Sequence, residues 1–168
     1  MDFKVGDKVI YPNHGVGVIE EVLLASAGEI SQNFFRLRIV SNGSTVLIPT
    51  SNTTQVGLRK VLTRKDVDKV FRVLRRGKVS VTQDWKGRFQ EHSEKMRSGD
   101  IYEVAAVMKS LTLLSKTKNL SYRERKMLDK SKYLIVSEIA SVSNQGEAEV
   151  EVKVDKAVSL SLKSSRDH

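Results

Sequence analysis

A short segment around the only tryptophan of the chain combines residue types that could contact a nucleic acid. The segment TQDWKGRFQ (82–90) places Trp85 between Asp84 and Lys86, with an arginine three residues after it. A flat indole ring can stack on bases or wedge between them while neighbouring cations bind phosphates. The alternative is a tryptophan packed in the core, and Phe89, four residues on, is suited to such packing. The charged neighbours of Trp85 favour the nucleic-acid interpretation.

Positive charge is concentrated in the middle of the chain. Residues 1–58 carry 4 basic and 5 acidic side chains, residues 59–136 carry 21 and 9, and residues 137–168 carry 4 and 6, for a net charge of +9. An excess of cations on one segment is typical of a surface that binds polyphosphates. No set of polar side chains resembles a helix that reads base edges, so binding through charge and shape is predicted. The residues predicted to contact nucleic acid, which the family resemblance below makes DNA, are Trp85, Lys86, Arg88, Arg97, Arg123, Arg125 and Lys126.

Residue patterns typical of enzymes do not stand out. The histidines His14, His92 and His168 are far apart, and the chain contains no cysteine, which argues against a local metal site and a thiol nucleophile. The GVG at 15–17 lies between two strand-like runs and does not open a helix, so it cannot form the phosphate site of a dinucleotide fold. The sequence therefore predicts a protein that is not an enzyme, with no catalytic residues, metal or other cofactor.

The sequence also predicts a cytoplasmic protein. It shows no charged-then-apolar leader and no apolar run of about 18 residues, so neither secretion nor membrane insertion is indicated. The absence of cysteine is compatible with a reducing compartment.

The N-terminal third has the pattern of a small β domain. Runs such as VIYP, VGVIEEVLL, FFRLRIV and STVLIP are separated by turn residues, and Asn42-Gly43 is a strong hairpin signal. Several strands within sixty residues predict a small Tudor/SH3-like β-barrel over residues 1–60, since so short a sheet must curl to bury a face.

The hydrophobic period becomes helical after Thr63. Four helices are predicted: one from Thr63 to Gly77, one from about Asp84 to Arg97, one starting after Asp100 and one starting after Ser121. The predicted fold class is thus α+β, a β-barrel followed by a compact basic helical bundle over residues 61–143. Residues 144–168 alternate valine or leucine with polar residues and have no nearby hairpin partner, which predicts a disordered tail, with an edge strand as the alternative.

Several segments resemble the CarD/CdnL family of bacterial transcription regulators in collinear order from Phe3 to Val142. They are FKVGDKVIYPNHGVG (3–17), LIPTSNTTQVGLR (47–59), DWKGRF (84–89), SGDIYEVAAVMKSL (98–111) and LSYRERKMLD (120–129).

The resemblance implies a specific role for each half of the chain. In this family a Tudor-like N-terminal domain binds the β subunit of RNA polymerase, and a helical C-terminal domain contacts promoter DNA at the upstream edge of the transcription bubble. The family's tryptophan, matched by Trp85, acts as a minor-groove wedge that keeps the open complex from collapsing. The β-subunit contact is expected through strand addition at Thr45, Val46, Leu47 and Ile48. A monomer with no membrane or small-molecule partner is expected, associated with the nucleoid through the polymerase.

The sequence departs from the family pattern at several positions. Gly87 and Gln90 stand where relatives carry a denser basic cluster, which predicts a weaker grip on DNA or one shared with the fourth helix. Ala25 and Leu47 stand where some relatives place arginines, which predicts a more apolar contact with the polymerase. The segment after Ser143 replaces the helix that often ends relatives.

Two other functions remain open from the sequence. One is a general architectural nucleic-acid-binding protein that is not coupled to RNA polymerase. The other is the translocase that couples repair to transcription, which carries a similar N-terminal domain; the missing Walker motifs and the length of 168 residues count against it.

Overall fold

The computed structural model describes residues 3–77, 79, 81 and 84–166. The chain divides into two compact units, Met1–Val61 and Leu62–His168. The first is built on a five-stranded antiparallel sheet and the second contains five α-helices. The predicted α+β class, a small Tudor-like β domain followed by a helical one, is confirmed.

The sheet of the N-terminal unit has the strand order β4-β3-β2-β1-β5. The strands are β1 (Lys8–Tyr11), β2 (Gly15–Ala27), β3 (Ile30–Ile39), β4 (Thr45–Pro49) and β5 (Arg59–Lys60), with a short 3-10 helix at Thr50–Asn52. A bulge between Ile19 and Glu21 interrupts the pairing of β2 with β3. Such bulges increase the local twist, which helps a short sheet to curl.

One face of the sheet forms a hydrophobic core. Phe35, Leu37 and Ile39 alternate with more exposed residues along β3 and are at most 8% exposed, as expected when successive side chains point to opposite faces. Gly17 lies on the neighbouring strand, and a Cβ there would lie 2.9 Å from the Leu37 side chain. The second glycine of the GVG sequence therefore permits close packing inside the sheet.

The helical unit contains five helices around one core. They are α1 (Arg64–Arg75), α2 (Trp85–Arg97), α3 (Ile101–Ser115), α4 (Tyr122–Val142) and α5 (Glu147–Arg166). The first four begin where they were predicted to begin. The side chains of Thr63, Asp84, Asp100 and Ser121 each cap a helix by accepting a hydrogen bond from a backbone N–H of its first turn.

A buried lysine holds the C-terminal end of α1. The Nζ of Lys109, on α3, donates to the carbonyl oxygens of Val73 at 2.9 Å and Arg76 at 2.7 Å. These carbonyls lie in or just after the last turn, where a helix lacks internal donors. Gly77 follows with φ +94°, a conformation that favours glycine. Burial lowers the pKa of Lys109 below its ordinary value.

The prediction of a disordered tail over residues 144–168 is wrong, because α5 occupies Glu147–Arg166; the last two residues lie outside the described part of the chain. Val150, Val154 and Val158 are buried at intervals of four, and α5 packs on α1 and α4. Residues that alternate also recur every four positions, and residues four apart lie on the same face of a helix. The pattern therefore fits a helix as well as a strand. Val152, exposed by 67%, belongs only to the alternating pattern.

Candidate nucleic-acid interface

The start of α2 fixes the position of Trp85. The Asp84 side chain accepts a hydrogen bond from the backbone N–H of Gly87 at 3.1 Å, so Trp85 is the first residue of the helix. A Cβ on Gly87 would lie 3.1 Å from the same carboxylate, which is tight enough to displace it. Gly87 therefore gives the capping carboxylate more room than a residue with a side chain would.

Trp85 is held on one side and open on the other. Its ring stacks on Phe89, with centroids 5.3 Å apart and an angle of 10° between the planes. The Arg123 guanidinium lies 5.6 Å from the centroid of the Phe89 ring. Trp85 nevertheless remains 38% exposed, and Phe89 is half-buried. The arrangement combines both sequence interpretations, since part of the ring is packed and part is available to a partner.

A buried ion pair lies beneath Trp85. The Arg88 Nε donates to Glu124 at 2.8 Å, and the two side chains are only 1% and 2% exposed. Glu124 also accepts a hydrogen bond from the Ser121 hydroxyl at 3.4 Å, and the Trp85 side chain helps to lower its pKa. Burial by itself would raise the pKa of Glu124, but the hydrogen bonds and the charge of Arg88 outweigh it and hold this pKa below its ordinary value.

This ion pair corrects one predicted site residue. Arg88 was expected to grip a phosphate beside Trp85, but the guanidinium is buried and bonded to Glu124 in this structure. A buried carboxylate requires such a partner, since an isolated charge in the interior is very costly. Arg88 therefore joins the start of α2 to the start of α4 and does not present its charge to a ligand.

The structure brings together some of the other predicted cations. Lys86, next to Trp85, is exposed, and so are the three cations in the first turns of α4, which are Arg123, Arg125 and Lys126. The N-terminal ends of α2 and α4 meet here through the ion pair, and helix N-termini favour anions. Arg97 is exposed but lies at the other end of α2, about 18 Å from Trp85 along the helix axis, so it does not share this surface.

Three further residues belong to this site, although the sequence did not assign them to it. Phe89 supports the tryptophan ring, and Glu124 binds Arg88. Tyr122 is 70% exposed, and its ring centroid lies 5.2 Å from the Lys126 ammonium. The sequence signals for Glu124 were its place three residues after Ser121, as in a capping box, and its being a lone acid inside the basic run YRERK. Its partner is 36 positions away, so the pairing becomes visible only in the fold.

The residues predicted to bind RNA polymerase lie in the N-terminal unit on β4, an edge strand of the described sheet. Thr45 and Leu47 are exposed, Leu47 by 53%, and Val46 is half-buried. Ile48 is only 2% exposed and belongs to the core. Its side chain therefore supports the sheet, in contrast to the predicted role as a contact residue, although its backbone still lies on the edge.

An apolar strip crosses the outer face of the sheet beside this edge. Leu23, Phe34 and Pro49 are opposite one another on three adjacent strands and are half-buried. Residues directly opposite on neighbouring strands project from the same face. The next row contains Leu47 opposite Arg36, which is paired with Glu21 at 2.9 Å. This surface combines an apolar strip with an open strand edge.

The residues that the structure describes carry no candidate metal cluster and no candidate membrane-spanning helix. Those residues include no group of three or more histidine, aspartate or glutamate side chains arranged to hold a metal ion. None of the described helices has the length and hydropathy required to span a bilayer.

Comparison with protein families agrees with the two units. Residues 3–62 match the CarD-like/TRCF RID domain, and residues 69–155 match the family described as CarD, C-terminal domain. The chain belongs to the CarD family. The second match extends well into α5, so family similarity continues beyond Val142, where the sequence segments suggested that it ends.

A relative of similar length carries a name that fits this family. The protein described as "Putative transcription factor YdeB" of Bacillus subtilis (strain 168) is 29% identical over 148 residues, which cover 88% of this chain and 97% of the relative. This CarD family member is accordingly a transcription-related protein.

Proposed function

We propose that this protein regulates transcription initiation by binding the RNA polymerase β subunit and stabilising the promoter open complex at the upstream fork. It acts without catalysis, as a monomer, in the cytoplasm where the polymerase and chromosome are found. The observation that carries the proposal is Trp85, packed on Phe89 and still 38% exposed, with exposed cations beside it.

The geometry of Trp85 favours contact without base-sequence specificity. The indole ring carries one hydrogen-bond donor, its N–H, and no acceptor. The exposed part of the ring is therefore a largely apolar surface. Such a surface can stack at an unpaired or distorted base step, which intact duplex does not present. Neighbouring cations such as Lys86 and Arg123 can bind phosphates of any sequence.

The polymerase contact is proposed at the edge strand β4. An exposed edge can accept an additional strand from a partner through backbone hydrogen bonds. Leu47 and the strip of Leu23, Phe34 and Pro49 make the adjoining surface apolar. This composition supports a contact dominated by apolar burial, in place of the arginine-mediated contact of some relatives.

The test is the lifetime of a promoter open complex formed by the host's own RNA polymerase. A ligand that prefers the open state by about 1–3 kcal/mol lengthens this lifetime about 5- to 150-fold. The wild type is expected to produce such an effect, Trp85→Ala to lose most of it, and Trp85→Phe to retain part of it. The double variant Lys65→Gln/Lys69→Gln, which changes two exposed cations on α1, is the control and should behave like the wild type.

Binding to the purified β subunit separates the two halves of the proposal. Trp85→Ala should bind β as the wild type does. An unchanged lifetime with the wild type, together with salt-sensitive binding to plain duplex and no affinity for β, would replace the proposal with a general architectural nucleic-acid-binding function.

A further inference from the structure

We propose that the helical unit carries a second binding site, a groove between α1, the end of α4 and α5, that takes an acidic amphipathic helix of another protein. The groove encloses about 1040 Å³ and is called the basic groove below. It goes beyond the proposed DNA and polymerase contacts and does not depend on them.

Cations dominate the rim of the basic groove. Arg64, Arg72 and Arg75 line it from α1, and Lys153 and Lys156 line it from α5. Asp68 is the one acid among the lining residues. All six are exposed, and in the described part of the chain these five cations take part in no ion pair. The rim is therefore suited to a ligand with several carboxylates along its length.

The floor of the groove is apolar and incompletely covered. The stripe of α1 includes Val70 and Leu74, which are fully buried, but Val67 and Phe71 are only partly buried and line the groove. Leu160 of α5 also lines it and is 48% exposed. Covering such side chains provides a favourable free energy that phosphates alone cannot supply. The floor thus favours a protein partner over a DNA backbone.

The length of the groove matches a short helix. The α1 residues that line it extend from Arg64 to Arg75, about 16 Å along the axis. A partner helix of about 11 residues covers this distance and can present leucines every three or four positions to the floor, with acids on either side.

The basic groove is separate from the Trp85 site. The groove contacts α4 at Ile139 and Val142, whereas the Trp85 site includes the first turn of the same helix. These positions are about 24 Å apart along the α4 axis. The two sites can therefore be occupied at the same time.

A fluorescein-labelled helical peptide of about 14 residues, with leucine every three or four positions and glutamate on both sides, is the probe. Fluorescence anisotropy with the full chain is expected to show binding. The variant Lys153→Glu/Lys156→Glu should weaken it at least about tenfold, and Leu160→Ser should weaken it about fivefold. The control Lys65→Glu/Lys69→Glu makes the same charge change on exposed α1 residues outside the groove and should stay within about twofold of the wild type.

Two companion ligands decide what the groove recognises. A peptide with serine in place of leucine keeps its charge and should lose binding, and a 12-base-pair duplex should bind Lys153→Glu/Lys156→Glu and Lys65→Glu/Lys69→Glu equally. The proposal is overturned if the acidic peptide does not bind at about 1 mM, if the serine peptide binds as well as the leucine peptide, or if both double charge variants affect it equally. Selective loss of duplex binding in Lys153→Glu/Lys156→Glu would instead identify a DNA surface. Circular dichroism melts of each variant confirm that it remains folded.

Discussion

Substituting Glu124 by glutamine should destabilise the helical unit strongly although the change is nearly isosteric. The carboxylate is 2% exposed and bonded to a guanidinium that is 1% exposed. Removing one partner of a buried ion pair costs about 3–5 kcal/mol, because the other charge stays buried without compensation. Glutamine retains one acceptor oxygen, so we expect the lower end, about 3 kcal/mol of unfolding free energy. That is a large share of the 5–15 kcal/mol typical of a domain.

The measurement is urea denaturation of the full chain, followed by circular dichroism and by the fluorescence of its only tryptophan. Because Trp85 and Glu124 belong to the same helical unit, the fluorescence of Trp85 reports on the unit in which the change is made. Glu94→Gln, at an exposed position on α2, is the control and should change stability by less than about 0.5 kcal/mol.

The double variant Arg88→Met/Glu124→Leu tests the cause of the loss. Replacing a buried ion pair by apolar residues of similar volume is often neutral or stabilising, so the double variant should recover at least half of the stability lost by Glu124→Gln. The reasoning fails if Glu124→Gln costs less than about 1 kcal/mol, or if the double variant is no more stable than the single one.

Three further predictions concern other parts of the chain. Lys109→Met removes two hydrogen bonds to carbonyls at the end of α1 and should cost about 1–3 kcal/mol in urea denaturation, whereas the exposed control Lys116→Met should change little. Burial lowers the pKa of His92 below its ordinary value of 6.5, so the imidazole takes up a proton at a higher pH in the unfolded chain than in the folded chain. The free energy of unfolding should therefore decline as pH falls below about 6.5. His92→Gln should flatten that part of the plot of stability against pH. Leu47→Glu should weaken binding to the β subunit at least about tenfold without changing the melting temperature, since the side chain is 53% exposed. Val40→Glu, at a similarly exposed position, is the control. Equal losses of β-subunit binding for both variants would argue against the β4 edge as the contact.

Local signals predicted most of the fold. Polar residues at Thr63, Asp84, Asp100 and Ser121 cap the four helices that they were expected to begin, because a cap depends on residues within one turn. The tail was missed because apolar residues that alternate also recur at intervals of four, and the choice between strand and helix depended on whether α1 and α4 offered a surface to cover.

The candidate site was less accessible to sequence reasoning. A cationic side chain in a basic segment can face either a ligand or a buried acid, and composition does not distinguish the two. Arg88 and Lys86 are two positions apart, yet the first is buried against Glu124 and the second is exposed. Residues two apart on a helix point in different directions, so only the position of α4 decides which cation is internal.

The contacts of Trp85 have a consequence for the energetics of the proposed wedge. Stacking on Phe89 restricts the ring before any partner arrives. A side chain that is already ordered loses less conformational entropy on binding, so more of the contact free energy is available to favour the open complex. Phe89→Ala removes the stacking partner of Trp85 and the ring that the Arg123 guanidinium faces, while Trp85 and the exposed cations stay in the sequence. If this preorganisation matters, that variant should shorten the open-complex lifetime even where β-subunit binding is unchanged; an unaltered lifetime would mean that the exposed ring alone is sufficient.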